Sequence, residues 1–144
     1  MVDVSTKQVT PRRAVAAGRV VLGGEAFQAL VAGDATKGDV LTTAEVAGIM
    51  GAKETSRLVP LCHPVLLDAV DLKFELCDVD HAVDIRAETT SVGRTGVEME
   101  ALTAVAVAAL TVYDMCKSFS KAIRIMDVRL ISKEGGSRGP YLAA

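Results

Sequence analysis

The chain has 144 residues, half of them hydrophobic and 24% charged, the balance of one soluble globular domain over residues 1–144; a disordered or collagen-like chain is excluded. Sixteen basic and eighteen acidic side chains leave a formal charge of −2, which excludes a nonspecific nucleic-acid binder held by counterion release and leaves room for a small anionic ligand. The odd set Cys62, Cys77 and Cys116 has no CxxC spacing, so neither a disulfide framework nor a zinc ribbon is expected, and reduced thiols in a cytoplasm fit best.

Val2 to Arg13 is polar, and the apolar, Val-rich run Ala14 to Leu22 reads as a short strand entering the body. Gly23-Gly24 marks a turn, after which Ala26, Leu30 and Phe27, Val31 repeat at i,i+4 and predict a short helix. Gly33 to Asp39 is loop-like, with Asp39 placed as the N-cap of a helix from Val40 to about Arg57. Gly48 and Gly51 each weaken that helix by about 1 kcal/mol relative to Ala, so a close neighbour is expected against them.

After Pro60-Leu61-Cys62-His63-Pro64, strict alternation of Val70, Leu72, Phe74 and Leu76 with Asp71, Lys73 and Glu75 predicts a half-buried strand. Val83, Ile85 and Ala87 repeat the pattern beyond a turn at Cys77 to His81, giving an antiparallel hairpin. Val97 to Phe119 is helical in composition and apolar almost all round from Ala101 to Tyr113. That core is too short to span a bilayer and carries Thr103 and Thr111, and Met1 to Ser5 has no apolar export signal, so no membrane association is expected. Its surplus apolar face calls for a second helix or a subunit interface. Ile123 to Ile131 reads as a last strand whose alternation changes phase between Met126 and Val128, as at a bulge, and a glycine-rich tail follows. The order β-α-α-β-β-α-β implies an α+β architecture, a mostly antiparallel sheet with helices on one face.

Two prolines pin the backbone around His63, which either aims an imidazole into a site or simply stiffens a corner. Cys62 beside it reads better as a buried thiol than as a nucleophile, because no electropositive helix start is evident for it. Glu98 and Glu100 flank Met99 at a helix start, where the macrodipole stabilises carboxylates whether or not they act on a ligand. Asp114 and Lys117, three residues apart on one helix face, form an ion pair by default, yet Asp114 is badly placed for the dipole and interrupts an apolar run. Arg12, Arg13, Lys37, Lys53, Lys117, Lys133 and Arg138 are cationic candidates for phosphate, each ordinarily a solvated surface charge when taken alone. Glu100 and Asp114 are fourteen residues apart on one helix, about 21 Å along its axis, so one small site uses both only if the ligand is long or two subunits share it.

Met1-Val2-Asp3-Val4-Ser5, Lys37-Gly38-Asp39-Val40-Leu41, Pro60-Leu61-Cys62-His63-Pro64, Thr95 to Thr103 and Tyr113-Asp114-Met115-Cys116-Lys117 together resemble the cyclic pyranopterin monophosphate synthase family of molybdenum cofactor biosynthesis. The resemblance runs in order over nearly the whole chain. It implies a ferredoxin-like subunit in a homohexamer, a trimer of dimers with active sites at the dimer interface. It also implies a lyase that converts (8S)-3′,8-cyclo-7,8-dihydroguanosine 5′-triphosphate to cyclic pyranopterin monophosphate and diphosphate. Carried over by position, Lys37 and Lys117 resemble catalytic lysines, Asp114 an active-site aspartate, and Leu61, Cys62, His63, Glu98, Met99 and Glu100 substrate-contacting residues, with Lys53, Arg12 and Lys133 as weaker phosphate contacts. A lysine whose pKa is lowered by a neighbouring cation would shuttle protons, as would His63. Arg94 and Ser137-Arg138 depart from the family pattern, and the tail change bears on the phosphate role of that segment. No cofactor is required by the sequence, and Mg²⁺ is expected only as a companion of the triphosphate. Without the resemblance, a ligand-binding regulatory module of ferredoxin-like fold and a Cys62–His63 thiol enzyme would compete.

Overall fold

The computed structural model describes residues 1–144. In chain order the elements are β1 (Thr10–Val21), α1 (Gly24–Ala32), α2 (Val40–Lys53), α3 (Thr55–Leu58), β2 (Ala69–Cys77), β3 (Ala82–Gly93), α4 (Glu98–Cys116), β4 (Arg124–Glu134) and β5 (Tyr141–Leu142). The strands form one antiparallel sheet in the order β2-β3-β1-β4-β5. Its first four strands and their helical crossovers give the split β-α-β pattern of a ferredoxin-like α+β fold.

Alternation along β1 separates the two faces of the sheet. Ala14, Ala16 and Val20 enter the core with Val83, Ile85 and Ala87 of β3. On the other face Arg13 joins Glu88 of β3 at 2.5 Å to Glu134 of β4 at 3.0 Å, and Arg19 joins Asp84 at 2.6 Å and Asp80 at 2.8 Å. That face is polar and ion-paired, so all the helices pack on the opposite side.

β1 begins four residues earlier than the apolar run predicts. Pro11 is accommodated because its only paired neighbour is Val92 of β3, the β4 pairing beginning at Arg13; proline is tolerated where one side of a strand is free. The phase change in β4 is a register irregularity opposite Gly18, with Asp127 at φ 56°. β5 was not expected: two residues of the tail pair with Ser132 and Lys133, too short a strand to show periodicity.

The predicted helix over 40–57 divides into α2 and α3. Buried Thr55 donates its hydroxyl to the Ala52 carbonyl at 2.9 Å, offering the backbone a local partner that competes with continued helix. Asp39 is the N-cap of α2, accepting the Thr42 N–H at 2.7 Å.

α4 is the central helix, with Ala101, Ala104, Val105, Ala108, Ala109 and Val112 fully buried. At 19 residues it is long and apolar enough by composition to cross a membrane, and its own chain buries half of it, against the sheet and α2. The close neighbour expected at the α2 glycines is here: a methyl at Gly48 would come within 2.5 Å of Leu72 Cδ2 and 3.0 Å of the Ala104 carbonyl, and one at Gly51 within 2.7 Å of Val107. A second helix of the same chain thus covers much of α4. Leu110 of α4 and Val46 and Met50 of α2 remain exposed.

Candidate active site

Candidate residues gather at the two ends of α4. At its C-terminal end, Lys37 is presented by a tight turn between two anchors, Ala35 in the core and Asp39 at the α2 cap. Gly38 closes that turn, its N–H donating to Ala35 at 3.0 Å with φ 98°, a conformation glycine adopts without strain. Lys37 Nζ hydrogen-bonds Asp114 Oδ2, and Lys117 Nζ, one helical turn from the aspartate, lies 2.7 Å from Oδ1. One carboxylate therefore holds two ammonium groups, one on each oxygen. The Lys117 and then the Lys37 hydrogen bond lower the Asp114 pKa to about 2, and Asp114 in turn raises that of Lys117. A lysine with a lowered pKa was expected; at Lys117 the shift is upward, because its nearest charge is an anion. The cleft here is about 480 Å³, and Thr36, Tyr113, Met115, Ser118 and Lys121 complete its wall.

At the N-terminal end of α4 lies a larger cleft of about 910 Å³. The end of β3 anchors the segments that line it: Thr89 donates to the Val97 carbonyl at 2.9 Å, holding the start of α4, and Ser91 donates to the Leu66 carbonyl at 2.7 Å, holding the segment after the Pro60–Pro64 corner. Leu61, Cys62 and His63 consequently line the same space as Glu98, Met99 and Glu100, with Arg12 from β1 and Lys133 from β4. Glu100 is buried, and desolvation, with Glu98 nearby, raises its pKa. Burial, followed by the charge of Glu100, raises the Cys62 thiol, the reverse of what a thiolate nucleophile needs. Lys133 Nζ pairs with Glu98 Oε1 at 3.3 Å.

Twelve of the fourteen candidate residues thus fall into two clusters, Arg138 among them; Lys53, exposed at the end of α2, and Arg13, ion-paired to Glu88 and Glu134, line neither. The walls include residues to which no role was given: Val2 to Gln8 in part, Thr95, Gly96, and the tail Gly135 to Ser137. Arg94, noted only as a departure from the family pattern, lines the larger cleft as well. The signal for Val2, Val4, Thr95 and Gly96 was that they stand inside motifs that carry the family resemblance.

The MoaC family profile matches residues 1–136. A cyclic pyranopterin monophosphate synthase of Salinibacter ruber is 58% identical over 98% of this chain and 83% of its own length. Relatives of the same name from Heliobacterium modesticaldum and Listeria welshimeri are 53% and 50% identical, each over 99% of this chain and 89% of their own length. With a match of that extent spanning both clusters and every strand but the last, this chain belongs to the MoaC family.

Proposed function

We propose that this protein performs the reaction its relatives are named for. It takes the cyclised dihydroguanosine triphosphate, opens and recloses its guanine-derived ring as a pterin, and forms the cyclic phosphate with loss of diphosphate. In the last step a ribose-derived hydroxyl oxygen bonds to the α-phosphorus while the bond from that phosphorus to the departing diphosphate breaks, and the hydroxyl proton is taken up by the diphosphate. A ligand-binding module would have no need of a carboxylate bracketed by two ammonium groups, and the relatives' names favour the enzyme.

The carrying observation is the pair of clefts at opposite ends of one helix, one with Asp114 between two lysines and one with Arg12, Lys133 and a buried Glu100. About 21 Å separates the helix positions, too far for two ends of a single compact site. We therefore assign the catalytic centre to a subunit interface, where the Lys37–Asp114–Lys117 group of one protomer faces the larger cleft of another. The exposed Leu110, Val46 and Met50 beside α4 supply apolar surface for that contact, in a homohexamer built as a trimer of dimers. In this reading Arg12 and Lys133 bind the phosphates, with Lys53 left as a surface charge. Leu61, Cys62, Met99, Glu98 and Glu100 contact the base and sugar, and His63 exchanges protons as the ring opens. Lys37 and Lys117 place positive charge and protons where negative charge develops, and Asp114 holds both ammonium groups. In this reading Mg²⁺ would accompany the triphosphate, held on its own oxygens. The three free thiols accord with a cytoplasmic setting.

Turnover of the cyclised triphosphate by purified protein, following diphosphate and pterin, tests the assignment. Product from the native chain and loss of at least about a hundredfold in Lys37→Ala and Lys117→Ala is expected. Mixing Lys117→Ala with a Glu100→Ala variant and recovering activity in the mixed oligomer would place the two clusters in one site across subunits. Binding without product from the assembled native protein would overturn the enzymatic reading.

A further inference from the structure

The glycine-rich tail folds back over Arg12. Gly135 and Gly136 have φ of 88° and 87°, and the Gly139 N–H donates to the Gly136 carbonyl at 3.2 Å, closing the strap. A methyl at Gly136 would collide with Arg12 Nη1, with Cζ at 3.2 Å; one at Gly135 would collide with the Pro11 carbonyl, with Arg12 Cδ at 3.3 Å. From the other direction Arg12 Nε donates to the Gly93 carbonyl at 3.2 Å. The guanidinium is thus confined between a β3 carbonyl and bare tail backbone at the wall of the larger cleft.

We infer that Gly136 is a positioning residue for Arg12: its missing side chain leaves the space the guanidinium occupies, and the strap fixes the direction of the fork toward a bound phosphate. The inference rests on the proposed reading of Arg12 as a phosphate contact. A long side chain with several rotamers loses freedom on binding, so confining it beforehand reduces the entropy lost when the anion arrives. Because the colliding atom at Gly136 is the end of a flexible side chain, Gly136→Ala should displace the guanidinium and leave the fold standing. Gly33, at φ 76° after α1 and lining neither cleft, has nothing within 4 Å of its would-be methyl, so Gly33→Ala reports the backbone penalty of a left-handed glycine alone.

Calorimetric binding of inorganic triphosphate, with KM and kcat for the cyclised triphosphate, is measured on native protein, Arg12→Ala, Gly136→Ala, the double variant and Gly33→Ala. Arg12→Ala and Gly136→Ala should each weaken triphosphate binding about tenfold and raise KM more than they lower kcat. The double variant should bind no worse than Arg12→Ala, since the glycine acts through the arginine, and Gly33→Ala should bind as native. If Gly136→Ala fails to fold, the double variant should fold, the obstruction having gone; a double variant that also fails overturns the inference. Losses that multiply in the double variant, or native binding by Gly136→Ala when Arg12→Ala binds weakly, likewise overturn it. Native binding by Arg12→Ala would instead remove the phosphate reading of Arg12, and the inference with it.

Discussion

Lys133 Nζ stands 3.3 Å from Glu98 Oε1, both side chains less than a third exposed, so the cleft holds its own anion against one of its two proposed phosphate contacts. A phosphate approaching Lys133 must compete with that carboxylate. Glu98→Gln should therefore tighten binding of inorganic triphosphate by about fivefold, the equivalent of about 1 kcal/mol. Calorimetry at fixed ionic strength measures it, and unchanged or weaker binding would show that Glu98 does not oppose the anion.

Burial raises the pKa of Glu100, so the folded state holds its proton more tightly than the unfolded chain. The resulting stabilisation is present below the ordinary value of 4.5 and is lost as pH rises through the folded value; at neutral pH the charged group is a liability. Glu100→Gln should raise the urea midpoint at pH 8 and change it less at pH 4, while lowering turnover. Equal midpoints for the two proteins at pH 8 would argue against a desolvated carboxylate.

Asp114 behaves in the opposite sense. Its folded pKa of about 2 lies below 3.8, so the lysine pairing contributes above pH 3.8 and is lost as pH falls toward 2. Carbon-13 titration of the carboxyl should show a midpoint near 2 that moves up in Lys37→Ala and further in Lys117→Ala, because the Lys117 hydrogen bond is the larger contribution. The reverse order would reassign the dominant partner.

Replacing Gly48 by Ala gains about 1 kcal/mol of helix propensity. The added methyl meets Leu72 and the Ala104 backbone, and overpacking of this kind costs about 1–3 kcal/mol, so a net loss of stability is expected. Urea denaturation decides it; a more stable Gly48→Ala protein would mean that α2 and α4 can separate without cost.

The hairpin of β2 and β3, the long apolar helix and the Asp39 cap were legible because each is written in a local period or at one position. The spacing of Glu100 and Asp114 likewise divided the candidate residues before any packing was known, since the rise of a helix is constant. β5 and the break before α3 were not legible: one depends on a two-residue pairing across the tail, the other on a buried hydroxyl taking a carbonyl.

By itself the sequence determined the layer architecture, the motifs that carry the family resemblance and the separation of the two residue clusters. Only the tertiary structure decided that Glu100 is buried, that Lys133 meets Glu98 and that the tail confines Arg12. The physical reason is that periodicity records which face of an element an environment requires, whereas pKa shifts and close approaches depend on strand register and helix contact. Those bring together residues as distant as Arg12 and Gly136, and no local pattern encodes their separation in space.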